Sequence, residues 1–109
     1  MNKLTEKHCV ACEGGIPPLQ KNEIDKLLSQ IDGWEINESQ NEISRRFEFK
    51  NFHHVMGFAN AIAWIANQQG HHPDLELGYN YCLVRYTTHA IQGLSENDFI
   101  CAAKINTLR

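Results

Sequence analysis

At 109 residues the chain is long enough for one domain and too short for two ordinary ones. Its net charge of −3 and pI near 6.0 give no general attraction to a phosphate backbone, so nucleic-acid binding is set aside. No apolar run approaches the roughly 20 residues of a membrane span, and the opening MNKLTEKHCV lacks the apolar centre of a secretory signal. The protein is therefore expected in the cytoplasm, with its four cysteines reduced and without membrane contact.

Residues 1–18 read as a loosely ordered leader: polar, then Cys9-x-x-Cys12, Gly14-Gly15 and Pro17-Pro18. A single domain is expected over 19–109. Its first helix is marked by Ile24, Leu27, Leu28 and Ile31, spaced as one amphipathic stripe, and Asp32-Gly33 ends it with turn chemistry. A short strand follows at Trp34–Asn37 and a longer one at Glu42–Phe49. In the longer strand Ile43, Phe47 and Phe49 share a face that Arg45 interrupts.

The second helix has the strongest pattern. Asn51 is its expected N-cap, and Phe52, Val55, Met56, Ala59, Ile62, Ala63 and Ala66 keep helical spacing. Gly70 stops it as the residue that adopts a left-handed conformation most cheaply. Two strands are then expected, Asp74–Gly78 and Tyr81–Thr88, paired as a hairpin that sets residue 88 near residue 74. The second of them is partly apolar on both faces, so helices are expected over one face and something else, such as another subunit, over part of the other. Ser95-Glu96-Asn97-Asp98 fits a capping box that opens the last helix, with Leu94 and Phe99 at the staple positions. The order α-β-β-α-β-β-α predicts an α+β fold of two layers, a four-stranded antiparallel sheet packed against helices.

The candidate chemistry lies in Gln69-Gly70-His71-His72-Pro73. An imidazole ionises near neutrality, so His71 and His72 can each serve as acid or base, and two close together disfavour double protonation. An isolated pair at a loop rim is more often polar filler. His89 shifts that balance, because it ends the last strand on the side where the pair sits. Three imidazoles are also a legitimate zinc set, but neither H-x-x-x-H nor H-x-H spacing is present.

His71-His72-Pro73, five residues, Tyr79, nine residues, His89, eight residues, Asp98: this arrangement resembles the signature of the pterin-4a-carbinolamine dehydratases. Asp32-Gly33-Trp34, Phe47-x-Phe49, Gly57-Phe58 and Gly93-Leu94-Ser95 agree with it, and the likeness spans about residues 20–108. The resemblance implies dehydration of a 4a-hydroxytetrahydropterin to the quinonoid dihydropterin, recycling pterin for aromatic amino-acid hydroxylases, with no metal and no organic cofactor. It implies that His71, His72 and His89 surround the pterin, that Gly70, Pro73, Thr87, Thr88 and Asn67 contact it, and that the chain forms a homodimer or homotetramer. Relatives that act as dimerisation or assembly factors supply the rival, a non-catalytic binding module.

One position departs. Four residues before the first histidine the family usually carries an ionisable residue, often Glu; here it is Asn67, expected one helical turn from His71. Ser95 and Asp98 are read first as a structural cap near the site. For Cys9 and Cys12 an edge-packed or disordered leader is preferred to zinc or redox chemistry. His53 and His54 are expected to be exposed first-turn residues, and Trp34 and Trp64 core or interface residues.

Overall fold

The structure is a computed structural model and describes residues 3–10 and 16–109. Three helices, α1 (Lys21–Leu28), α2 (Phe52–Gln69) and α3 (Glu96–Asn106), alternate with four strands, β1 (Glu35–Ile36), β2 (Ile43–Glu48), β3 (Asp74–Leu77) and β4 (Tyr81–Tyr86). The element order is the expected one. The sheet is antiparallel throughout and runs β1-β2-β4-β3, so the long strands β2 and β4 lie at its centre.

Local chemistry places each helix end. Asn51 Oδ1 accepts from the His54 backbone N–H at 3.1 Å and so caps α2. Gly70 closes α2 at φ 64°, in the left-handed region. At the start of α3 the Ser95–Asp98 capping box is formed in both directions, with Leu94 and Phe99 buried on either side of it. Gln20 and Glu23 form a second box on α1 that the sequence reading did not anticipate.

Strand alternation sorts the two faces of the sheet. Ile43, Phe47, Cys82, Val84 and Tyr86 are buried and join Val55, Phe58 and Ile62 of α2 and Phe99, Ile100 and Cys101 of α3 in one core. Arg45 sits on this face too. Its guanidinium lies 4.4 Å from the centre of the Phe47 ring and donates to the Asp32 carbonyl and Asn106 Oδ1, both at 2.8 Å. The apparent break in the pattern is thus a long side chain spread over the core edge. On the opposite face Arg46 stacks on Tyr81 at 3.9 Å, and Arg85 lies between Glu42 and Glu76.

Two expectations need correcting. Asp74 pairs with Arg85, not with residue 88, because the turn at Tyr79-Asn80 sets Gly78 opposite Tyr81 and the register counts back from there. Of the two tryptophans, Trp34 is core, whereas Trp64 is 65% exposed on α2, which leaves it the interface alternative. The described part of the leader is folded onto the domain: Leu4–Glu6 make a 3-10 turn, Leu4 is buried in the core, and Lys104 Nζ donates to the Thr5 carbonyl at 2.8 Å. A single apolar side chain in a polar stretch is a weak signal of such packing. Cys12 and the glycine pair after it lie outside the described residues.

Candidate active site

Three chain ends meet at one edge of the molecule. Gly70 turns the chain out of α2, the N–H groups of Gly70 and His71 both reach back to the Ala66 carbonyl, and Pro73 leads into β3. After β4 a 3-10 turn, His89–Ile91, is closed by a bridge between Thr88 and Gly93. The N-terminus of α3 supplies Asp98. Continued past the strand ends, the β3–β4 register sets Thr88 toward His71 instead of residue 74, so the histidine segments converge more closely than expected.

Asp98 joins them. It is fully buried and spends both carboxylate oxygens: Oδ1 meets His71 Nε2 at 2.5 Å, while Oδ2 accepts from Thr88 Oγ1 at 2.8 Å and from the Ser95 N–H at 3.0 Å. The cap reading is correct but incomplete, since the same side chain orients His71. The second role needed knowledge of tertiary proximity that spacing alone does not carry. The other wall around His71 is Tyr86, whose ring stacks on the imidazole with centroids 5.2 Å apart and whose hydroxyl donates to the His71 carbonyl at 3.2 Å. Burial disfavours the imidazolium, but the Asp98 hydrogen bond and charge outweigh it and raise the His71 pKa above its ordinary value.

His72 is exposed and meets Asn67, not His71's partner: its Nε2 lies 3.1 Å from Asn67 Oδ1. The expectation that Asn67 would lie over His71 fails because Gly70 ends the helical path between them. A carbonyl oxygen only accepts, so the neutral tautomer that satisfies this contact carries its hydrogen on Nε2. His89 is exposed at the first position of its 3-10 turn.

A cavity of ≈ 390 Å³ is lined by Gly70, His71, His72, Thr87, Thr88 and His89. Six of the residues singled out from sequence therefore share one space, while Pro73 and Asn67 are not among its walls. Val10, Gln69, Ala90 and Asn97 line it as well and were missed. Val10 and Asn97 are tied together by hydrogen bonds of 3.1 and 2.6 Å, a contact across 87 positions that no local pattern announces. Among the described residues no group of three His, Cys, Asp or Glu side chains is arranged to hold a metal ion. The His53-His54 pair, also exposed, is accounted for by the α2 cap: Asn51 Oδ1 lies 2.8 Å from His54 Nδ1.

An open cavity bordered by three imidazoles, one backed by a buried carboxylate, is equipped to move protons on a small molecule. Residues 17–108 match the sequence pattern of the family described as Pterin 4 alpha carbinolamine dehydratase, and the chain belongs to that family. It is 56% identical over 106 residues to a provisionally named pterin-4-alpha-carbinolamine dehydratase of Nitrosomonas eutropha, covering 96% of this chain and 92% of the relative. A provisionally named relative from Legionella pneumophila is also 56% identical, with 96% and 94% covered. Among solved structures, a transcriptional coactivator/pterin dehydratase from Brucella melitensis superposes with a TM-score of 0.80 at 33% identity, covering 84% of this chain and 97% of the other. A pterin dehydratase-like protein identified as a RuBisCO assembly factor shares the fold, with a TM-score of 0.61 at 21% identity over 70% of this chain and 88% of that one.

Proposed function

We propose that the protein is a hydro-lyase that converts a 4a-hydroxytetrahydropterin to the quinonoid dihydropterin and water. The reaction breaks one C–O bond. The leaving hydroxyl must gain a proton, and a ring N–H must lose one, so acid and base suffice and no electrons leave the pterin. The observation that carries the reading is the meeting of His71, His72 and His89 around one cavity. Membership of the family supports the substrate class.

The environments of the histidines support a division of labour. Asp98 sustains the cation of His71 and so suits it to proton donation. The Asn67 contact leaves His72 Nδ1 free to accept a proton. His89, without a carboxylate neighbour at hydrogen-bond distance among the described residues, supplies a third group able to exchange protons at the rim. Gly70, Thr87 and Thr88 are the remaining proposed pterin contacts on the cavity wall, with Pro73 and Asn67 acting from behind it. The working form is a cytoplasmic homo-oligomer serving an aromatic amino-acid hydroxylase.

A second reading, a protein-binding module without catalysis, draws on Asn67 and on the coactivator designation of the Brucella protein. A dehydration assay separates the two. Loss of one positioned acid or base costs on the order of 10²–10⁴ in rate, so His72→Ala with His89→Ala should reduce turnover by at least the lower figure. Native turnover no better than that of the double variant would favour the binding module.

A further inference from the structure

Beside His71, the described residues contain one pair of thiols in contact. Cys9 Sγ and Cys101 Sγ stand 3.6 Å apart, although the two residues are 92 positions apart in the chain. Cys101 is fully buried on α3, and Cys9 is half-buried at its surface. The contact is held from both sides. The Cys9 N–H donates to Gln69 Oε1 at 2.8 Å, the Val10 N–H donates to Asn97 Oδ1 at 3.1 Å, and Asn97 Nδ2 returns a bond to the Val10 carbonyl at 2.6 Å. Lys7 pairs with Glu96 at 2.8 Å one turn away. Cys9 is thus seated by its neighbours, and the residue after it forms part of the cavity wall.

The two sulfurs have unlike surroundings. The hydrogen bond to Cys101, followed by burial, pushes the Cys9 thiol up. The same bond, with help from the Tyr86 hydroxyl and the His71 charge, outweighs burial and lowers Cys101. While the contact stands, the thiolate is therefore disfavoured on Cys9 and favoured on Cys101.

We propose that Cys9 and Cys101 are a site of reversible disulfide formation that fastens residues 8–10 in place as a fixed wall of the histidine cavity. The oxidant is a small disulfide, R–S–S–R. Cys9, the more accessible thiol, parts from Cys101, gives up its proton, bonds to one sulfur of the oxidant and releases the other, which takes up a proton as R–SH. Cys101 then attacks the Cys9 sulfur, forms the internal bond and releases the second R–SH. Two protons and two electrons pass from the protein thiols to the oxidant, which leaves as two thiols. The sulfurs need to approach to about 2.05 Å, a shift of the Cys9 segment toward α3 along a contact already made.

Glutathione disulfide is the probe. Wild-type protein, Cys12→Ser and Cys9→Ser are treated with it, blocked by alkylation and mapped as unreduced peptides, and amide hydrogen exchange is followed at residues 8–10. The expected result is a loss of two hydrogens and a Cys9–Cys101 link in wild type and Cys12→Ser but not in Cys9→Ser, reversed by dithiothreitol. Exchange at residues 8–10 should slow at least tenfold, and Tm should rise by about 20 °C or more, as a long closed loop implies. A Cys9–Cys12 link in wild type with no link in Cys12→Ser would overturn the proposal, as would a stable mixed disulfide at Cys9 or disulfide-linked dimers. A Cys9–Cys101 link that leaves exchange at residues 8–10 unchanged would overturn the fastening.

Discussion

Replacing Asp98 by Asn tests the centre of the site, because the two side chains have nearly the same shape and differ in charge and in one donor. Three donors converge on the native carboxylate: His71 Nε2, Thr88 Oγ1 and the Ser95 N–H. In Asp98→Asn an NH₂ group must face one of them in a place without solvent, and the charge opposite His71 is gone. Breaking a buried, hydrogen-bonded pair costs about 3–5 kcal/mol, a large part of the roughly 5–15 kcal/mol that holds a domain together. Urea unfolding at two pH values supplies the assay, with an NMR titration of the His71 ring beside it. In the native protein the folded pKa of His71 is raised, so its contribution is complete below the unfolded value near 6.5 and is lost as pH rises through the folded value. In the variant burial is opposed only by the charge of Cys101, so the folded pKa falls and that pH-dependent contribution is lost. The stability gap should therefore narrow from pH 5.5 to pH 8.5. A loss under about 1 kcal/mol, or a His71 titration unchanged from wild type, would refute the assignment of Asp98 as its orienting partner.

The remaining predictions concern the approaches to the site. Gly70→Ala places a side chain at φ 64° where the new Cβ would meet nothing within 4 Å, so only backbone strain is added, about 1–2 kcal/mol in chemical unfolding. Gly33→Ala should cost more, since φ is 85° and the added Cβ would stand 2.7 Å from Arg45 Nε, displacing the guanidinium from Asp32 and Asn106; equal losses at the two glycines would count against that role for Arg45. Asn67→Glu should raise the pKa of His72 and move the pH profile of dehydration upward, with His71 titrating as before, because the contact is to His72. A shift confined to His71 would show the helix-spacing argument to be the better one.

Much of the frame was legible because its signals are local. Asn51 and Gly70 bound α2 through backbone geometry that few other residues satisfy, and the Ser95–Asp98 box needs only three residues' separation. The convergence of His71, His72 and His89 was legible at coarser grain: a hairpin was enough to bring the segments together, even with the register misplaced by three residues. What escaped depends on distance in space between parts far apart in sequence. Asp98 under His71, Tyr86 against its ring, and Asn97 clasping Val10 leave no periodic trace, and each side chain already had a sufficient local explanation as cap, core or helix surface. The 3-10 turn at Leu4–Glu6 was hidden for the opposite reason, one apolar side chain among polar neighbours.

Val10 lies before residue 17, where the family match begins, yet it borders the same hollow as the three imidazoles. One piece of the cavity wall and the three imidazoles are consequently written in different stretches of the gene. If the proposed dehydration holds, drift in the first can change what the cavity admits while the histidines stay as they are.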